Sequence, residues 1–286
     1  MPRTETSRFD GKGGRIFWRA WLPDGEVRAV ATLVHGVGEH SGRYEHVGQR
    51  LAEHGFATYA DDHIGHGQSA GGGANIESLD EAADNEATML DLATQRHPGL
   101  PRFVLGHSMG SLIALYLVTR GPLDLTGLVV SAPPLIQQPA NPVERAAWPV
   151  LTRLAPVLSR RAPGLGVVKL DTSAISRDAE VVTAYHADPL VHHGALPART
   201  AAEILRGAAF VQAHLDRLTL PTLVLQGSAD RLAPPAGADL VEQRAAATDL
   251  TVIRYPGLFH EVFNEPEQET VLGDLVGWLE AHLPPQ

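Results

Sequence analysis

The sequence predicts an α/β domain with a mainly parallel central sheet, helices on its flanks and a helical insertion late in the chain. Three observations predict it. Short apolar runs of strand character alternate with helix-compatible segments. The runs are apolar almost without interruption, as in strands buried on both faces. Finally, nearly ninety residues from about Pro133 to Leu220 carry no strand pattern, too long a span for an ordinary loop.

Strands are expected at Ile16 to Leu22, Ala29 to Val34, Phe56 to Ala60, Arg102 to Leu105, Leu128 to Ser131, Thr222 to Gln226 and Leu250 to Tyr255. Helices are expected at Tyr44 to His54, Ser78 to Arg96, Met109 to Thr119, Pro235 to Ala247 and Glu267 to His282. The insertion contains helix-compatible pieces near Val143 to Leu158, Asp178 to His186 and Arg199 to His214. It is expected to lie over the carboxyl ends of the strands, where open α/β sheets place their ligands. The expected division is 1–132 and 221–286 for the core and 133–220 for the cap.

Composition narrows the function. The 286 residues, 44% hydrophobic and 20% charged, can bury a substantial core. A net charge of −10 argues against nucleic-acid binding and offers no polybasic anchor for lipid. With no cysteine, disulfides and thiolate metal sites are excluded. The polar start, Met1 to Asp10, carries no signal-peptide pattern, and no apolar run is long enough to span a bilayer. A cytoplasmic location is expected.

Gly106-His107-Ser108-Met109-Gly110 fits the Gly-x-Ser-x-Gly turn, which lifts a serine hydroxyl into an open site. With 28 Gly and 11 Ser, roughly 0.1 such matches arise by chance. Context raises the match: an apolar strand run precedes it and a helix-compatible run follows. A serine hydroxyl needs a base, usually histidine, and a carboxylate to orient that base. In α/β-hydrolases these follow in the order Ser, acid, His. Asp230 comes after the strand run Thr222 to Gln226; there it is either the acid or an Asx-turn residue. His260 follows the strand run Leu250 to Tyr255 and the turn Pro256-Gly257. Taken jointly, Ser108, Asp230 and His260 read as a catalytic triad. An oxyanion hole needs two backbone N–H groups. One is expected from Met109. The other is expected from Val37, in the glycine-bearing loop after the strand that ends at Val34. His35 is expected to support that loop.

At this point a family resemblance is specific. His35-Gly-Val-Gly-Glu-His-Ser-Gly-Arg-Tyr44 closely resembles the oxyanion-loop signature of the monoacylglycerol lipases. Asp62-His-Ile-Gly-His-Gly-Gln-Ser69 resembles their second signature, and Gly106 to Gly110 their elbow. Leu170 to Asp178 and Tyr185 to Gly194 resemble their cap, and Tyr255 to Pro266 the His segment of bacterial members. The resemblance runs nearly end to end. It implies an α/β-hydrolase fold with a mobile apolar cap, and hydrolysis of a monoacylglycerol to glycerol and fatty acid without a cofactor. It also implies glycerol-side contacts from Glu39, Arg43 and Tyr185, although Glu39 and Arg43 also read as a structural ion pair and Tyr185 as cap packing. Phe263 stands where some animal members have a second His, and Ser111 where many have Gly; for Ser111 only a packing effect is expected.

The acyl chain needs an apolar wall, for which Leu135, Ile136, Trp148, Leu151 and Leu154 are candidates. Such a stripe is more often cap core. Pro149 and Pro156 interrupt Val143 to Leu158, so transient contact with a membrane surface is expected rather than a long interfacial helix. Asp61-Asp62-His63-Ile64-Gly65-His66 is rich in metal-ligating types, but so close a set needs a remote partner. It reads as a structural turn, and no metal is expected. Lysophospholipase or general carboxylesterase activity is the nearest alternative. A non-catalytic binding protein on the same fold is a remote one.

Overall fold

The computed structural model describes residues 2–136 and 153–284. Its strands are β1 (Arg3–Gly11), β2 (Gly14–Leu22), β3 (Ala29–Val34), β4 (Phe56–Asp61), β5 (Arg102–His107), β6 (Gly127–Ser131), β7 (Gly166–Val168), β8 (Leu196–Pro197), β9 (Thr222–Gly227) and β10 (Leu250–Tyr255). Its helices are α1 (Glu45–Glu53), α2 (Leu79–Arg96), α3 (Met109–Arg120), α4 (153–161 among the described residues), α5 (Ala179–Ala187), α6 (Ala198–His214), α7 (Ala236–Arg244) and α8 (Gln268–Ala281).

The main sheet has the order β1-β2-β4-β3-β5-β6-β9-β10. It is parallel from β4 to β10, with β2 antiparallel to both neighbours. This is the expected α/β-hydrolase fold. The strands β3, β4, β5, β6 and β9 are buried almost throughout because helices cover both faces. Alternation along β5 divides the core. Val104 packs on one face with residues of α2, α3, α6 and α7, while Phe103 and Leu105 pack on the other with residues of α1 and α8. The first helical residues of α2 follow an N-cap, Ser78 Oγ, which accepts from the Glu81 N–H at 3.1 Å. Central helix α3 is buried all round from Met109 to Thr119, which explains its lack of a polar face.

Two expectations needed correction. No strand was expected at the polar N-terminus, yet Arg3–Gly11 pairs with β2 along its whole length. As an edge strand exposed over most of its length, it needs no apolar alternation. None was expected in 133–220 either, but β7 and β8 form a small antiparallel pair. The insertion also divides. Its last helix, α6, places Ala208 and Val211 in the main core. Gly207 allows this approach, since a Cβ there would lie 2.1 Å from Leu79 Cδ2. Thr200 Oγ1 pins the start of α6, accepting from Ile76 N–H and donating to the Ala74 carbonyl. No helix among the described residues is long and apolar enough to cross a membrane.

Candidate active site

Parallel strands end on one edge, and that edge collects the reactive groups. β5 runs straight into Ser108, which sits at φ 52, ψ −122, a left-handed value that side chains rarely adopt. Both glycines of the elbow are required by space. A Cβ on Gly106 would lie 2.5 Å from the Gly110 carbonyl oxygen, and one on Gly110 would lie 1.9 Å from that of Val34. The turn is tied down by Ser108 N–H to the Ser131 carbonyl at 2.9 Å. Ser111 does more than pack: its hydroxyl donates to the Ser108 carbonyl at 2.7 Å. Gly110→Ala is expected to destabilise the fold by about 3 kcal/mol, since the clash is with backbone that cannot step aside. Thermal or urea unfolding checks this; a loss below about 1 kcal/mol would show that α3 can shift away from β3.

Asp230 lies in the turn after β9, and His260 in the loop between β10 and α8. Gly227 lets these loops touch, because a Cβ there would fall 2.1 Å from the Phe259 carbonyl oxygen. The imidazole Nδ1 of His260 lies 2.8 Å from Asp230 Oδ2. The other oxygen, Oδ1, accepts from the Leu232 and Ala233 N–H groups at 2.8 and 2.9 Å. Burial alone would raise the Asp230 carboxyl, but His260 and these N–H groups hold it below the usual range. It is therefore a carboxylate that accepts Nδ1–H, which leaves His260 Nε2 free to take a proton. Burial opposes protonation of His260, yet the Asp230 charge outweighs it and leaves the imidazole above its ordinary value. Neighbouring His107, its ring centroid 4.8 Å from that of His260, is pushed down to about 4, mainly by burial, and brings no competing charge.

The loop after β3 reaches the same place. A Cβ on Gly36 would lie 3.2 Å from Ser108 Cβ, so the loop backbone abuts Ser108. His35 supports it as expected from sequence: Nδ1 donates to the Gly36 carbonyl at 2.7 Å, and Nε2 accepts from His63 N–H at 3.0 Å. Burial keeps this imidazole neutral. Glu39 Oε1 accepts from Gly36 N–H and from the Tyr44 hydroxyl, each at 2.7 Å. Its Oε2 accepts from Arg43 at 2.6 Å. Arg43 in turn makes a two-pronged pair with Glu261, 2.7 Å on each prong. Glu39 and Arg43 are therefore engaged as a buried brace, the ion pair that the sequence also allowed. Glu261 went unassigned in the sequence, although it adjoins His260. The Tyr185 ring lies over the Arg43 guanidinium at 4.8 Å. Tyr185 also lines, with Val37, Gly38, His192 and Leu170, a cavity of about 260 Å³.

The second signature knits the loops together. Asp62 Oδ1 accepts from the Ser41 backbone and hydroxyl, and Oδ2 from Gln68 N–H. Of the acyl-wall candidates, Leu135 is fully buried in the main core, so it packs rather than faces open space. Leu154 is 46% exposed, Ile136 is half-buried, and Trp148 and Leu151 lie outside the described residues. Phe263 is buried against the α8 side of the sheet.

The chain is similar to known proteins along nearly its whole length. The model of a family described as serine aminopeptidase, S33, matches residues 25–267. The chain is 45% identical over 282 residues to a monoacylglycerol lipase of Mycolicibacterium smegmatis, covering 98% of each chain. It is 35% identical to the Homo sapiens monoglyceride lipase over 90% of this chain and 84% of that one. The crystal structure of Paleococcus ferrophilus monoacylglycerol lipase superposes with a TM-score of 0.81 at 30% identity, covering 98% of this chain and 99% of that one.

Proposed function

The chain belongs to the monoacylglycerol lipase family of the α/β-hydrolase superfamily, and we propose from this that it hydrolyses monoacylglycerols to glycerol and fatty acid. The observation that carries the chemistry is the 2.8 Å contact between Asp230 and His260 at the strand edge that also holds the strained Ser108. Ser108 Oγ attacks the ester carbonyl while His260 Nε2 takes its proton. Asp230 holds the ring and stabilises the imidazolium. The N–H of Met109, first residue of α3 and so without an intrahelical acceptor, and that of Val37 receive the oxyanion. The proton passes from His260 to the leaving glycerol. Water, deprotonated by the same imidazole, then attacks the acyl-Ser108 ester and releases the fatty acid.

Serine peptidases share this machinery, so the family description alone leaves the acyl substrate open. The 45% identity to a lipase along almost the whole chain favours the lipid ester. Tyr185 is the polar group we assign to the alcohol side, because it lines the cavity beside Val37. The cap, within 133–220, would cover the acyl chain, and its apolar surface would meet lipid transiently.

The test is a hydrolysis profile for mono-, di- and triacylglycerols and for lysophosphatidylcholine of equal chain length, run beside fluorophosphonate labelling. Labelling at Ser108 with preference for the monoacylglycerol is expected. Labelling with preference for lysophosphatidylcholine would transfer the reading to a lysophospholipase. A folded protein that stays unlabelled would sink the hydrolase reading.

The pH profile has a definite sign. His260 must be neutral to act as base, and Asp230 raises its proton affinity. The acid limb of kcat/KM is therefore expected above the ordinary histidine value of about 6.5. Asp230→Asn should move that limb to lower pH while cutting kcat by about 10⁴-fold. An unmoved limb would mean that another group sets it.

A further inference from the structure

We propose that Asp61, His63 and Glu86 form a buried site for one first-row divalent cation, zinc or manganese by its ligand chemistry, set behind the oxyanion loop. Asp61 ends β4, His63 lies in the following turn and Glu86 is on α2. All three are buried, with 0%, 2% and 2% exposure. One ligand atom from each lies within 4.8 Å of the others.

Five polar atoms of the three side chains are buried without a partner. Neither oxygen of Asp61 and neither of Glu86 has a hydrogen-bond donor. His63 adds a third acceptor. Its Nε2 lies 3.1 Å from the His35 carbonyl oxygen, so Nε2 carries the proton. Nδ1 then presents a lone pair, and it too is buried without a partner. Two carboxyl groups and a bare imidazole nitrogen, closed off from water, call for positive charge between them.

Between His63 and Glu86, the spacing favours a metal over a shared proton. His63 Nδ1 and Glu86 Oε1 stand 3.7 Å apart. That is too long for a hydrogen bond. Two ligands of one tetrahedral zinc, each at about 2.1 Å, stand roughly 3.4 Å apart, close to what is seen. One nitrogen with two carboxylates suits zinc or manganese better than calcium or magnesium. A ligating imidazole that donates its other N–H to a backbone carbonyl is the usual second support of such a site. The sequence reading of 61–66 required a remote partner before any ion could be held there, and Glu86 is that partner.

The site also has a consequence for its surroundings. His63 holds His35 through both its backbone N–H and its ring, and His35 holds Gly36. The cation would stiffen the loop that carries Val37. It takes no part in the reaction.

The test is metal content, not activity. Protein is produced in media supplemented separately with Zn²⁺, Mn²⁺ or Co²⁺, dialysed against EDTA while folded, then unfolded in guanidinium and analysed by mass spectrometry. About one equivalent of one ion is expected to survive dialysis and to appear on unfolding, with the Co²⁺ form showing visible d–d absorption. Glu86→Gln and Asp61→Asn should carry none. Less than roughly a tenth of an equivalent in the wild type for all three ions would overturn the proposal and leave a proton shared by Asp61 and Glu86. Equal metal in Glu86→Gln would overturn it as well. Should the variants fail to fold, the d–d absorption of folded, EDTA-treated Co²⁺ protein decides, and its absence counts against the site.

Discussion

Ser108→Ala is expected to cut monoacylglycerol turnover on the order of 10⁶-fold, while the melting midpoint moves by no more than about 2 °C. The chemistry loses its only covalent partner. The scaffold loses almost nothing. The elbow is held by the Ser108 backbone, through N–H to Ser131 and through the carbonyl that Leu112 and Ser111 reach, and not by its hydroxyl. Alanine must still adopt φ 52, so the strain at the turn persists in the variant. His260→Ala should cost nearly as much, and the double variant little more, because nucleophile and base act as one unit. Steady-state assays on all three, with chromatographic detection of released fatty acid, check this. A Ser108→Ala protein that keeps more than about a hundredth of wild-type activity would show a different nucleophile.

Arg43→Met is expected to have the largest effect on stability, a loss of about 3–5 kcal/mol and so roughly 10 °C in melting midpoint. Glu39 and Glu261 are nearly closed to solvent, with side chains 4% and 6% exposed, and Arg43 pairs with both. Burial pushes the Glu261 carboxyl up, but Arg43 holds it below the ordinary range. Removing the guanidinium leaves two buried carboxylates without a countercharge. Arg43→Lys should recover little, since an ammonium cannot make the two-pronged contact. The triple variant Arg43→Met, Glu39→Gln, Glu261→Gln should be more stable than Arg43→Met alone, because it removes the charges that were stranded. If Arg43→Met unfolds with less than about 1 kcal/mol of loss, water reaches the pair and the brace is not dry.

Most of the sheet was legible because parallel strands under two helical layers must be apolar. Ala29–Val34, Phe56–Asp61 and Thr222–Gly227 announce themselves in this way. Arg3–Gly11 did not, since an edge strand that solvent reaches can be polar at almost every position. The elbow was legible because sterics dictate both glycines, and the residues at its partner strand ends were legible from chain order. The acid's partnership was only half legible. An aspartate after a strand looks alike whether it turns the chain or orients a base, and only the fold brings Asp230 to His260. Glu39 and Arg43 read equally as glycerol contacts or as an ion pair, because a charged pair in a loop has no visible depth in sequence. Glu86 was unreadable, since its position on α2 gives no sign that it faces the end of β4.

The loop beside the nucleophile has one further property. The Gly38 carbonyl accepts from His192 N–H at 2.8 Å, and His40 Nε2 meets Asp188 at 2.9 Å. Both partners belong to the insertion, while Gly38 adjoins Val37. One short peptide is thus tied both to the insertion and to the loop after β3. Breaking the His192 contact is expected to slacken the backbone beside Val37, the second donor proposed above. On the proposed mechanism, the reactivity of Ser108 is therefore expected to depend on how the insertion is seated on this loop.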